Sequence, residues 1–271
     1  MRALTQIADW PVTTAACAVV TADGSVAARH GDTARCFPLA SVTKPLSAYA
    51  VLVAAEEGAL SLDDPAGPAG STVAHLLAHC SGLAPDEPRR IAEPGTRRIY
   101  SNAGFEALAA YVEQRTEIPF PEYAADAVFA PLGMADTTIV GSPAAGAESS
   151  VEDLLRFAAE LQAPRLLDPD IVRRATTVAF PGLTGVLPGF GRQDPNDWGL
   201  GFELRDRKSP HWTGGRSSPA TYGHFGRSGT FLWVDPQARA ACVCLTDREF
   251  GPWAARAWPE LTDAVLAELA G

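Results

Sequence analysis

Long hydrophobic runs are missing from this chain of 271 residues. No apolar stretch reaches the ~18 residues that a membrane-spanning helix needs, so no membrane partner is expected. Cysteine is scarce and odd in number: Cys17, Cys36, Cys80, Cys242 and Cys244. A secreted disulfide framework would bring a denser, even set. These five read as reduced thiols packed as small apolar groups. Positive charge is also short, with 22 Lys and Arg against 32 Asp and Glu and a net charge of −10. The arginine pairs Arg89-Arg90, Arg97-Arg98 and Arg173-Arg174 lie far apart in sequence. A phosphate backbone would be repelled, and nucleic acid is not an expected partner. The opening stretch, MRALTQIADWPVTTAACAVV, interrupts its apolar residues with Gln6, Asp9 and Pro11. That pattern differs from a secretory signal and, with the free thiols, sets a cytoplasmic location as the expectation.

Two catalytic signatures are absent as well. There is no G-x-S-x-G elbow, which disfavours the common α/β-hydrolase triad. There is no H-E-x-x-H. The nearest approach to a metal pair is His75 and His79, at i, i+4 with Cys80 adjacent, and two ligands with no Glu after His75 do not complete a site. No metal and no cofactor are expected.

What is present is a globular composition, 46% hydrophobic and 20% charged, able to bury a sizeable core and not suited to extended disorder. Short strand candidates stand at the N-terminal end, Ala15–Thr21 and Ser25–His30, joined by the hairpin signal Asp23-Gly24. From Ser41 to Glu57, apolar residues recur at three and four spacing until Gly58. Further helices are expected at Val73–His79, Asn102–Gln114, Pro121–Phe129 and Ser150–Gln162. Phe180–Trp198, rich in Gly and Pro, reads as a long loop near a functional edge. Strand patterns return at Gly199–Leu204, Gly229–Val234 and Arg239–Leu245, before a helix at Ala254–Leu269.

Strands at both ends and helices between them predict an α+β fold. One antiparallel sheet flanked by helices would be built from residues 1–62 and 198–271. A mostly helical domain, 63–197, would be inserted into it, with the chemistry at the seam.

Three motifs carry chemistry. In Ser41-Val42-Thr43-Lys44 the i, i+3 spacing puts a hydroxyl and an amine on one helix face. Serine is a weak nucleophile without a base in reach. A lysine serves as that base only if burial or the helix N-terminus lowers its pKa. Pro45, lacking an N–H, places the helix start near Ser41. Alone, S-x-x-K recurs by chance roughly once in a few hundred residues. Tyr100-Ser101-Asn102 follows a turn and opens a helix. A phenol shuttles a proton and an amide holds a carbonyl, although the motif taken alone favours a helix cap with a buried Tyr. Tyr222-Gly223-His224-Phe225-Gly226 precedes a strand, where glycine lets a substrate lie along the edge.

Together and in this order, the motifs resemble the serine β-lactamase and penicillin-binding-protein superfamily, in the branch of class C β-lactamases, DD-peptidases and related esterases. The similar stretches include FPLASVTKPLSAYAVLVAAEEGALSLDDP, VAHLLAHCSGL, EPGTRRIYSNAGFEALAAYVEQ, WGLGFEL and GHFGRSGTFLWVDP, and run from Phe37 to Pro236. The resemblance implies a β-lactamase/transpeptidase-like fold with its site between two domains. It implies Ser41 as acylated nucleophile, Lys44 and Tyr100 as its proton-transfer pair, and Asn102 as a substrate-amide contact. His224 and Gly226 take the place of the family's K-T-G element, and the backbone N–H groups of Ser41 and Arg227 form an oxyanion hole. The family's site-flanking loops are shortened here around Pro85–Ile91 and between Gln162 and Trp198. A neutral imidazole at His224 would hold a substrate carboxylate less firmly than an ammonium.

The expected function is serine hydrolysis through an acyl-enzyme. The substrate would be a small-molecule short-chain ester, a D-peptide or a β-lactam, and the protein a monomer. The alternatives are a catalytically silent module that binds a peptide or cell-wall fragment, and an acyltransferase of a biosynthetic pathway.

Overall fold

The two ends of the chain meet in one sheet, in a computed structural model that describes residues 1–271. Strands β1 (Ala15–Thr21) and β2 (Val26–His30) form the first hairpin, and Gly24 takes the left-handed φ of +82° that its turn requires. Strand β3 (Cys36–Pro38) leads into a single 3-10 turn, Ala40–Val42, and helix α1 (Thr43–Glu56). Helices α2 (Val73–Leu77), α3 (Asn102–Thr116) and α4 (Phe120–Ala124) follow, the last continued by a π turn at Ala125–Phe129. Strands β4 (Thr138–Ile139) and β5 (Ala147–Ser150) precede α5 (Val151–Gln162) and α6 (Pro169–Ala175). A small hairpin of β6 (Gly185–Leu187) and β7 (Gly191–Gln193) comes next. The chain ends with β8 (Glu203–Leu204), β9 (Tyr222–Gly226), β10 (Thr230–Asp235), β11 (Ala240–Thr246) and α7 (Pro252–Ala270).

The main sheet runs β2-β1-β11-β10-β9-β8, antiparallel throughout. Its register, Cys17 opposite Cys244 and Phe231 opposite Cys244, sorts the side chains by period two. Ala18, Val20, Leu232, Val234, Val243 and Leu245 enter the large core shared with α1 and the middle helices. Cys17, Val19, Phe231, Trp233, Cys242 and Cys244 enter a second core beneath α7, with Trp212 and Trp258. All five cysteines are free thiols. Helix α5 packs across β1, β10 and β11, and α1 packs against α3 and β9. This is the expected α+β architecture, with an antiparallel sheet and flanking helices. No helix is long and apolar enough to cross a membrane.

Several elements differ from the sequence reading, for local reasons. The helix expected to reach His79 stops at Leu77, since His79 itself is left-handed at φ +55°. The expected loop Phe180–Trp198 contains the β6–β7 hairpin, whose three-residue strands are too short to show alternation. The expected strand Gly199–Leu204 shrinks to two residues. Gly201, at φ +88°, brings the backbone onto α1, where a Cβ would meet the Ala48 methyl at 2.1 Å. Helix α6 escaped notice because it has only seven residues, opened by Asp168, whose carboxylate accepts from Asp170 N at 2.8 Å.

At the β8 edge the chain buries a charge cluster. Glu203 Oε1 accepts from Lys208 Nζ, while Oε2 accepts from Trp212 Nε1 at 2.9 Å and meets His211 Nε2 at 2.8 Å. Lys208 also donates to the Asp197 carbonyl at 2.6 Å. Desolvation pushes Glu203 up, but the His211 and Lys208 charges and hydrogen bonds outweigh it and bring the carboxyl to about 2. Lys208 lies against Trp198, 5.9 Å from its ring centroid. Removing one partner of such a pair strands a buried charge. Glu203→Ala is therefore expected to cost about 3–5 kcal/mol in denaturant unfolding, and a loss below about 1 kcal/mol would mean that the cluster adds no more than a surface pair.

Candidate active site

Ser41 sits in the 3-10 turn at the head of α1, half-buried. The preceding Ala40 holds φ at +48°, an uncommon state for a residue with a Cβ. The turn is stitched in place from the sheet. Thr230 Oγ1 donates to the Leu39 carbonyl and Ser228 Oγ to the Pro38 carbonyl, each at 2.7 Å. Gly226, at the end of β9, lies so close that a Cβ there would meet the Leu39 oxygen at 2.2 Å and the Ala40 methyl at 3.3 Å. A glycine at this position lets the strand end touch the turn that carries Ser41. The next residue, Arg227, has its guanidinium in solvent, 3.8 Å from Glu249, so what it brings to the site is main chain.

Lys44 follows on the inner face of α1 and is completely buried. Its Nζ donates to Asn102 Oδ1 at 2.6 Å and to the Ala144 carbonyl at 3.0 Å, and stands 3.5 Å from Ser41 Oγ. It also lies 4.5 Å from the Tyr100 ring centroid. Burial pulls the ammonium down to about 7, with the Asp86 and Glu106 carboxylates opposing the shift. Desolvation is the leading cause. At neutral pH a large fraction of this amine is uncharged. A neutral amine has two N–H donors and one lone pair. The donors are taken by Asn102 and Ala144, which leaves the lone pair for the side where Ser41 lies.

Tyr100 reaches the same oxygen, its OH donating to Ser41 Oγ at 2.7 Å. Burial raises this phenol above the usual tyrosine range, the Ser41 hydrogen bond opposing, so it stays protonated. The Tyr100-Ser101-Asn102 strip is pinned to the loop before it. Ser101 N donates to His79 Nδ1 at 3.1 Å and Ser101 Oγ to the Ala84 carbonyl at 2.6 Å. Ser101 Oγ also caps α3 by accepting from Gly104 N at 3.0 Å. The cap belongs to Ser101, while its neighbours Tyr100 and Asn102 turn toward Ser41 and Lys44. Asn102 is oriented at its other end by Asp86, whose Oδ1 accepts from Nδ2 at 2.7 Å.

His224 shares a sheet face with Tyr222 and points inward. It is 3% exposed, with its ring 5.8 Å from that of Tyr100 and 5.5 Å from that of Trp198. Nδ1 donates to the Phe225 carbonyl at 2.7 Å. Desolvation, followed by the charge of Lys44, brings its pKa to about 3, so the imidazole is neutral. His79 is also buried, 4.7 Å from the Tyr100 ring and 4.8 Å from Trp198, and burial with the Lys44 charge holds it well below the ordinary histidine range. Two neutral histidines and Trp198 thus wall Tyr100 on its inner side. His75 does not join His79. Its Nδ1 is engaged by Thr72 at the start of α2, and its ring stacks on Phe180 at 4.4 Å.

Ser41, Lys44, Tyr100 and Asn102 therefore converge, with His224 and Gly226 bordering them. Three further groups were not read from sequence: the Ala144 carbonyl, Asp86 and His79. A backbone carbonyl leaves no mark in a sequence, and Asp86 meets Asn102 only because the loop after Cys80 folds back. His79 carried a signal in its spacing from His75, which pointed to a metal rather than to packing.

A family model described as Beta-lactamase matches residues 11–267. The crystal structure of a beta-lactamase from Mycobacterium bovis is 56% identical, with 98% of this chain and 99% of that chain covered and a TM-score of 0.97. Penicillin-binding protein 4* of Bacillus subtilis (strain 168) is 29% identical over 137 residues, 38% of this chain and 30% of that protein, so the match spans about a third of that relative's length. EstCE1, a hydrolase with promiscuous acyltransferase activity, shares the fold at 19% identity and a TM-score of 0.79, over 97% of this chain and 96% of that one. The chain belongs to the Beta-lactamase family, whose members are serine hydrolases.

Proposed function

We propose that the protein cleaves small esters or amides through an acyl-enzyme on Ser41. The observation that carries this reading is the placement of the Lys44 amine, fully buried, its pKa lowered by desolvation to about 7, bonded to Asn102 and Ala144 and facing Ser41. Lys44 takes the serine proton as Oγ attacks the carbonyl carbon. The backbone N–H groups of Ser41 and Arg227 hold the carbonyl oxygen as it becomes an oxyanion. Tyr100, protonated and 2.7 Å from Oγ, passes a proton to the leaving group, and Lys44 replenishes it. Water then attacks the acyl carbon by the same route in reverse. Asn102 serves twice, orienting Lys44 and facing the acyl side, while Gly226 lets the end of β9 pack against the turn that carries Ser41.

His224 is a neutral, buried wall of Tyr100 in this reading, not a charged anchor for a carboxylate. Substrates that do not need such an anchor, short-chain activated esters, are ranked first. The 56%-identical relative described as a beta-lactamase supports β-lactam cleavage as the second reading. Acyl transfer to a small acceptor would use the same acyl-enzyme.

A fluorophosphonate probe is expected to label Ser41 alone, with labelling lost in Ser41→Ala. Lys44→Met and Tyr100→Phe should each slow it by about 10²–10⁴-fold, the span of general acid–base catalysis. An adduct on another residue, or unchanged rates in both variants, would overturn the assignment. Steady-state kinetics should also give a higher kcat/KM for nitrophenyl acetate or butyrate than for nitrocefin or benzylpenicillin. The reverse order would make β-lactam cleavage the principal activity.

A further inference from the structure

His79 touches the strip that carries Tyr100 at three points. Its carbonyl accepts from Ile99 N at 2.8 Å, its Nδ1 accepts from Ser101 N at 3.1 Å, and its ring lies 4.7 Å from the Tyr100 ring. The residues on both sides of Tyr100 are thus bonded to a single residue, and the Tyr100 OH in turn lies 2.7 Å from Ser41 Oγ. The backbone makes this reach possible. Helix α2 ends at Leu77, and His79 turns left-handed at φ +55°, a state that His, Asn and Asp enter more readily than other residues with a Cβ. His79 and Ser101 are both buried, so the bond between them is made away from bulk water. That bond needs a lone pair on Nδ1, because a charged ring would set N–H against N–H. Burial first, and the Lys44 charge next, keep the ring neutral. With Nδ1 accepting, the ring proton sits on Nε2, which has no partner in the protein.

We propose that His79 is a positioning residue for the reaction: by holding Ile99 and Ser101 it aims the Tyr100 phenol at Ser41 Oγ and at the departing atom. This rests on the acyl-enzyme reading above, in which the bond from the carbonyl carbon to the leaving oxygen or nitrogen breaks and Tyr100 supplies the proton that the departing atom takes. His79 acts through Tyr100 alone, since neither ring nitrogen bonds Ser41 or Lys44. Without Nδ1, the buried Ser101 N–H beside Tyr100 loses its acceptor, and the strip shifts to find another. A misplacement of about 1 Å in a reacting group costs about 10²-fold, even when its origin lies outside the chemistry. The loss depends on the leaving group. Every ester needs Tyr100 beside Ser41 Oγ, and an ester that would expel a strongly basic alkoxide needs it again at the departing oxygen. A nitrophenolate departs with little help from a proton. A role confined to packing would lower both kinds of ester alike.

The test measures kcat/KM, which reports acylation, for benzyl acetate and 4-nitrophenyl acetate on the intact protein. His79→Gly keeps the left-handed turn and removes the ring; the benzyl value should fall about 10²-fold and the nitrophenyl value about tenfold less. His79→Asn keeps the turn and offers an amide oxygen in place of Nδ1, and should return the ratio of the two esters toward that of the unmodified protein. The ratio cancels the fraction of active protein, so partial unfolding does not imitate the effect. In Tyr100→Phe protein, where no acid remains to be aimed, His79→Gly should leave the ratio unchanged. Nitrogen NMR of the imidazoles adds a readout on the unmodified protein. The His79 ring, assigned by its loss in His79→Asn, should be protonated on Nε2 only and should not titrate through the ordinary histidine range, about 6.5. An equal fall for the two esters, a ratio that Asn does not restore, a changed ratio in the Tyr100→Phe background or a proton on Nδ1 would overturn the positioning role and leave the acyl-enzyme reading in place. Cleavage of the nitrophenyl ester alone by the unmodified protein would do the same, since a phenol aimed at the departing oxygen serves an alkoxide. Hydrolysis of neither ester would overturn both.

Discussion

A lysine amine buried without a carboxylate partner is the constraint on which the rest of the site depends. Taking an ammonium out of water is costly unless it is paired, and an unpaired one responds by losing its proton. Lys44 is placed in that situation. Its neighbours are an amide oxygen, a carbonyl and an aromatic face, while the nearest charges that favour its proton, Asp86 and Glu106, act at longer range. The arrangement leaves an amine that burial brings down to about 7 beside the Ser41 hydroxyl. It also accounts for the neutral histidines nearby. Burial first, and the Lys44 charge second, lower both His79 and His224, so the two imidazoles that share its interior are neutral.

Positioning that amine occupies a large part of the fold. The segment after β4 runs along the head of α1. Ala147 N donates to Thr43 Oγ1 at 2.9 Å, Ser47 Oγ donates to the Pro143 carbonyl at 2.6 Å, and the Ala144 carbonyl meets Lys44. On the opposite side β9 and β10 hold the Ser41 turn through Gly226 and Thr230. From a third direction the loop after α2 fixes Tyr100 and Asn102. Ser41 and Lys44, at the head of α1, and Tyr100, just before α3, are therefore held from three directions, largely through main-chain carbonyls. Reacting groups held on rigid, mutually bonded elements stay near their working geometry without reorganising during the reaction.

Much of this was legible in the sequence, unevenly. The α1 helix showed itself through Leu46, Tyr49, Ala50 and Val53, and its start through Pro45. The three motifs located Ser41, Lys44, Tyr100 and Asn102, which the fold brings together. The hairpin followed from its turn signal Asp23-Gly24, and β10 and β11 from short apolar runs, continuous because both of their faces are buried. Elements of two to four residues, β3 to β7 among them, did not, because a period cannot be read from so few positions. Nor did the contacts that come from loops. Asp86 on Asn102 and Ala144 on Lys44 depend on where a turn folds, not on local pattern. The burial of His224 was hidden for a related reason: position in a motif names the residue, while exposure depends on Trp198 and Tyr100 closing over it.

The central claim is that burial alone makes Lys44 a base near neutral pH. Titration of the lysine side-chain signals by NMR, with Lys44 assigned by comparison with Lys44→Met, tests it directly. The chain has two lysines, Lys44 and Lys208, so the assignment is tractable. The account predicts a signal absent in Lys44→Met that titrates with a midpoint near 7. A Lys44 that keeps its proton up to the ordinary lysine range, about 10.4, would contradict it.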